Sequence, residues 1–181
     1  MVDNLVLDLV EKHLITNQLV LTIGYDIENL TNSKISSKYN GEVVTDGYGR
    51  KIPKHSHGTV NLDHRTSSTK IIMTEVLKLY ERIVNPILLT RRINITACNV
   101  VDESFVEKKP QGEQLDLFTN YEVVEANKSK QIQEETEERK VQKTLLEIKK
   151  KYGKNAILKG MNLQEGATAK DRNEEVGGHK G

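Results

Sequence analysis

Little in this sequence is apolar over a long run, unbalanced in charge or able to crosslink, and each shortage removes a class of protein. One cysteine, Cys98, excludes an internal disulfide framework. No apolar run approaches the roughly 18 residues that a membrane span requires. The chain opens with acidic Asp3 and Asp8 where a secretory leader carries a basic segment, so no export signal and no membrane partner are expected, and the setting is read as a reducing cytoplasm. Charge of one sign is missing too: 27 Lys and Arg against 26 Asp and Glu leave +1, so a nucleic-acid surface must come from local clustering. There is no G-x-S-x-G string, no P-loop and no Cys/His dyad, and nothing in the chain is expected to be catalytic.

What the chain does have is polarity. With 29% charged residues and a mean hydropathy of -0.56 over 181 residues, one small core with polar appendages is expected. Leu5, Val6, Leu9, Val10 and Leu14 recur at helical spacing and predict an amphipathic helix over 3–15. Leu19, Leu21, Ile23 and Tyr25 alternate with Val20, Thr22 and Gly24, which predicts a strand buried largely on both faces or lying under a helix. Residues 28–58 read as a long excursion with a hairpin near Asp46 and Gly47. A strand follows in which Thr59, Asn61, Asp63 and Arg65 alternate with Val60, Leu62 and His64. Behind Ser67 or Ser68 as N-cap, Ile72, Val76, Leu79 and Ile83 trace a helix ending before Pro86; a last strand opposes Ile93, Ile95 and Ala97 to Arg92, Asn94, Thr96 and Cys98. This order predicts an α+β fold, an antiparallel sheet with two helices on one face, spanning 1–105.

Beyond it come a linker over 106–123, a long charged helix over 124–152 with an apolar seam of Val141, Leu145, Ile148 and Tyr152, and a loosely ordered tail over 153–181. In the linker, Gln114, Leu115, Asp116, Leu117 and Phe118 read QLDLF, the form of the peptide by which bacterial replication and repair proteins hook onto the sliding clamp. Leu117 and Phe118 are adjacent apolar groups in a polar stretch, which is unfavourable unless a pocket takes them; the plain alternative is that they fold back on the chain's own sheet. By average residue usage, such a string arises by accident in on the order of one in several thousand chains of this length.

Thr59, Asn61 and Arg65 on one strand and Arg92, Asn94 and Thr96 on another are expected side by side on one flat polar surface. Composition alone does not separate a phosphate-contacting face from an ordinary solvated one. His55, His57 and His64 match no closed zinc spacing and lie among Lys54 and Arg65, so solvated or phosphate-facing histidines are expected. Asp102 and Glu103 are read as a solvated strand terminus.

Taken with QLDLF directly after the domain, the stretches NQLVLTIGYDIENL (17–30), YGRKIPKHSHGTVNL (48–62), TSST (66–69), RRINITACNVVDE (91–103) and the tail 150–181 closely resemble the C-terminal part of bacterial Y-family, lesion-bypass DNA polymerases of the UmuC/ImpB/MucB/SamB type. The resemblance implies a ferredoxin-like little-finger domain whose sheet lies against primer-template DNA, with Thr59, Asn61, Arg65, Thr66, Ser67, Ser68, Arg92 and Asn94 facing phosphates. It implies a DNA grip and clamp-docking module in translesion DNA repair, with the sliding clamp and a separate polymerase catalytic portion as partners. The family's magnesium is held by palm carboxylates that would lie upstream of this chain, so no cofactor is expected here. The family's domain also opens with a strand before the first helix; without that interior strand the sheet must close up, recruit a partner or be marginally stable. Two other functions are weighed: a non-enzymatic adaptor competing for the clamp through QLDLF and a helix-mediated partner, and a histidine-dependent nuclease using His55, His57 and His64.

Overall fold

The computed structural model describes residues 1–105, 121–176 and 179–180. Helix α1, Val2–Glu11, buries Val2, Val6, Leu9 and Val10 on one face and carries an exposed Asp8–Lys12 ion pair at 2.8 Å on the other. It stops four residues earlier than its periodicity predicts. His13 adopts a left-handed conformation (φ 55°), which cannot continue a helix, and Leu14 already belongs to the next strand.

That strand, β1 (Leu14–Tyr25), is followed by two single-turn helices, α2 (Glu28–Thr31) and α3 (Ser33–Ser36), and by a hairpin of β2 (Val43–Thr45) and β3 (Lys51–Pro53). The hairpin turns where Asp46 and Gly47 predict it: the Asp46 carboxylate accepts from Tyr48 N, Arg50 N and the Arg50 guanidinium. Buried Asn29 ties this excursion to the body through Asp26 O, Leu89 O and Leu89 N, at 2.7–3.0 Å. Strand β4 (Ser56–Thr66), helix α4 (Thr69–Ile83), strand β5 (Thr90–Cys98) and short β6 (Val101–Asp102) complete the body.

The fold is α+β. β1 lies at the centre of the sheet, antiparallel to β4 on one side and β5 on the other, with β6 pairing Leu14 and Ile15. β4 and β5 are therefore parallel, joined by α4 with β1 running between them, a split β-α-β unit. β1 itself fills the interior position of the sheet. β1 is not buried on both faces; Leu19, Leu21, Ile23 and Tyr25 are at most 3% exposed, while Gln18, Val20, Thr22 and Gly24 stay partly open.

The buried row meets α1 and, from α4, Ile72, Val76 and Leu79 in one cluster, so both helices cover the same face. Each such side chain contributes about 1.5–3 kcal/mol by leaving water. α4 crowds β4 at Gly58, where a Cβ would stand 2.8 Å from Leu79 Cδ1 and 2.9 Å from Ile83 Cγ2.

Helix α5, Tyr121–Tyr152, starts three residues before the predicted boundary and ends where Gly153 takes φ +94°. Its predicted seam is only half used: Leu145 and Ile148 are half-buried, but Val141 and Tyr152 are 59% and 67% exposed. The face turned to the body carries Glu135, Glu138, Arg139, buried Gln142 and Leu146. The tail, expected to be loose, folds into a 3-10 turn (Gly160–Leu163) and α6 (Ala169–Glu174). Polar latches hold it: Lys159 Nζ meets Asp3 at 2.5 Å, and the Asn155 amide bonds Lys170 O, Glu174 and Asn173. Among the described residues, no helix is long and apolar enough to cross a membrane.

Candidate nucleic-acid interface

The sheet face opposite α1 and α4 is polar because each strand has period two and its apolar set is already spent on the helices. Register places the residues in rows across three strands: Asn61, Gln18 and Cys98; Thr59, Val20 and Thr96; His57, Thr22 and Asn94; then Gly24 and Arg92. His57, Thr59, Asn61, Arg92, Asn94 and Thr96 are exposed, and none of these rows contains a carboxylate. Gln18 Nε2 donates to Asn61 Oδ1 at 2.9 Å, and Thr22 Oγ1 meets His57 Nδ1 at 3.1 Å, so side chains of the middle strand, β1, are pinned to those of β4.

Thr59 and Asn61 thus share a face with Arg92 and Asn94, but they are not adjacent. β1 separates them by two strand spacings, roughly 10 Å. Gln18, Val20 and Thr22 are the residues that sequence reasoning missed, although the polar side chains interrupting Leu19, Leu21 and Ile23 carried the signal. The face offers hydroxyls, amides, a guanidinium and an imidazole on a flat surface; such groups suit phosphate oxygens and leave base edges unread.

Arg65 lies where the β1–β4 register slips between Thr16 and Gln18, and its guanidinium donates to the carbonyl of Asn99 beyond β5. Thr66, Ser67 and Ser68 are buried, 3%, 7% and 6% exposed, beneath α5. Ser68 is the N-cap of α4, its Oγ accepting from Ile71 N, and it donates to Glu138 Oε2 at 2.5 Å. Thr66 Oγ1 donates to Glu135 Oε2 at 2.7 Å, and His64 Nε2 reaches the other oxygen of that carboxylate at 2.9 Å. Lys70 N donates to Glu138 Oε1 at 3.2 Å, while Lys70 Nζ pairs with Glu134 at 3.0 Å. The Lys70 ammonium, by hydrogen bond and then by charge, holds the Glu134 carboxyl below its ordinary pKa. Arg139 bridges Ser67 Oγ (2.6 Å) and Glu103 (2.5 Å), and Gln142 Nε2 donates to Ser67 O and Thr69 Oγ1, both at 3.0 Å.

The histidines do not converge: His57 stands on the open face beside Thr22 and His64 against α5. Among the described residues, no group of three or more His, Cys, Asp or Glu is placed to hold a metal ion. Asp102 accepts from the hydroxyl and amide of Ser104, which lower its pKa, and Glu103 is paired with Arg139, so both carboxylates are engaged in holding the fold. The QLDLF residues, Gln114, Leu115, Asp116, Leu117 and Phe118, lie outside the described residues. In comparisons of sequence and structure, no family model, no curated protein and no solved structure matches the chain.

Proposed function

We propose that this chain is the part of a bacterial Y-family lesion-bypass polymerase that grips the DNA backbone and docks on the sliding clamp. The observation that carries the reading is the open sheet face, where Thr59, Asn61, Arg92 and Asn94 stand exposed with Thr96 and His57, in rows free of carboxylates. A flat array of hydroxyls, amides, an imidazole and a guanidinium, in rows that hold no carboxylate, supports backbone contact of low sequence preference. The QLDLF string adds a tether: holding a weak DNA binder at the primer end raises its local concentration, so modest phosphate contacts suffice. No residue here is assigned a chemical step; nucleotide transfer, with its magnesium, belongs to other domains of such a polymerase.

Fluorescence anisotropy on a primer-template duplex across a salt series tests the DNA half. Replacing Arg65 and Arg92 with Ala is expected to weaken binding on all sequences alike and to reduce the salt slope by about one unit per lost phosphate contact. An unchanged slope refutes this placement of the DNA face. Calorimetric titration into a bacterial sliding clamp tests the other half. The Leu117→Ala, Phe118→Ala variant is expected to lose about 2 kcal/mol or more, and absence of binding by the unaltered chain removes the clamp from the reading.

A further inference from the structure

The start of α4 is built to receive anions. Its first turn lies at the positive end of the helix dipole, where the Lys70 N–H has no acceptor within the helix, and hydroxyls of Thr66 and Ser68, the His64 ring and the Lys70 ammonium converge on the same corner. The anions in place are the protein's own: Glu135 lies on Thr66 and His64, Glu138 on Ser68 Oγ and Lys70 N, and Glu134 on Lys70 Nζ. A carboxylate and a phosphodiester present the same thing to such donors, a negative charge with two acceptor oxygens.

Resting on the DNA-grip reading, we infer that the acidic face of α5 is an internal competitor for DNA, occupying with Glu134, Glu135 and Glu138 the corner that would otherwise take backbone phosphates. The contact is suited to exchange. The apolar part of the α5 contact is confined to its C-terminal half, where Leu145, Leu146 and Ile148 are half-buried, while the buried residue of its acidic half is Gln142. Undocking of residues 129–142 therefore exposes mainly polar groups that water or phosphate can satisfy. The paired side chains are partly exposed, with Lys70 and Glu134 at 76% and 49% and His64 and Glu135 at 42% and 26%, so they are open to displacement and, for Lys70 and Glu134, to screening. Being on the same chain, the carboxylates act at a high effective concentration, and a weak or misplaced nucleic acid does not remove them. A duplex that also engages the open sheet face does.

The test uses the full chain. E134Q/E135Q/E138Q keeps side-chain shape and one of each pair of acceptor oxygens but removes the competing charge; E81Q/E137Q/E147Q removes the same charge from exposed positions. On a primer-template duplex, the first variant is expected to bind roughly tenfold tighter than the second, with a salt slope steeper by about one to two units for the added phosphate contacts. Equal affinity and slope in the two variants overturn the competitor while leaving the DNA grip intact. Absence of DNA binding by the unaltered chain and by both variants overturns the DNA-grip reading and the competitor with it. A second measurement needs no substitution: saturating the unaltered chain with duplex is expected to speed hydrogen exchange in residues 129–142 of α5. Tight DNA binding that leaves this exchange unchanged also overturns the inference.

Discussion

Helices α1 and α4 meet the sheet through Val6, Leu9, Val10, Ile72, Val76 and Leu79, each at most 6% exposed, whereas α5 meets the same body chiefly through Glu135, Glu138, Arg139 and Gln142, with Leu146 reaching the core. The first contact removes apolar surface from water, is indifferent to salt and has no alternative partner but itself. The second exchanges hydrogen bonds with water for hydrogen bonds with protein, so its net contribution per bond is small and depends on ions and pH. One contact builds a platform. The other is a cover that a competing anion can lift, and both sit on the same helix, since α4 gives its apolar flank to the sheet and its N-terminus to α5.

Leu21→Ala strikes the platform hardest. Leu21 is 1% exposed at the centre of the sheet, and the variant is expected to lose about 2–5 kcal/mol in denaturant unfolding, a large part of a small domain's stability. Arg139→Ala strikes the cover. It leaves Glu103 and the Ser67 hydroxyl without their partner and is expected to cost about 1–2 kcal/mol. Here the loss belongs in α5: hydrogen exchange should accelerate in residues 129–152 and stay unchanged in β1, and equal acceleration in both would break the distinction between platform and cover.

Mild acidification is the smallest perturbation. Glu134 has its pKa held below the ordinary 4.5 by Lys70, so its contribution is complete above that value and is lost as pH falls through the depressed one. Exchange in α5 is therefore expected to rise on acidification below about pH 4.5 before exchange in β1 does. A body that opens first would show that the platform, not the cover, is the acid-labile part.

Apolar periodicity made the platform legible. The alternation at Leu19, Leu21 and Ile23, the helical spacing of Ile72, Val76 and Leu79, and Ser68 as the cap all stand where the pattern puts them. The same signal misled at the end of α1, because Leu14 fits a helix face and a strand equally, and the left-handed His13 between them leaves no mark in hydropathy. It also misled in α5. Val141 and Tyr152 fit an apolar seam, yet they are exposed and the docked stripe carries four polar residues beside Leu146, and polar residues on a helix ordinarily mean solvent.

The residues alone determined which side chains seek the interior, hence the element order, the α+β class and the polarity of the open sheet face, because burial preference is a property of each side chain and its spacing. Only the tertiary structure decided that β1 lies between β4 and β5, and that Thr66, Ser67 and Ser68 lie under the carboxylates of α5. Strand neighbours are set by pairings between distant segments and the polar partners lie some 70 residues away in the chain, and hydrogen-bond complementarity, unlike hydrophobicity, has no period to read.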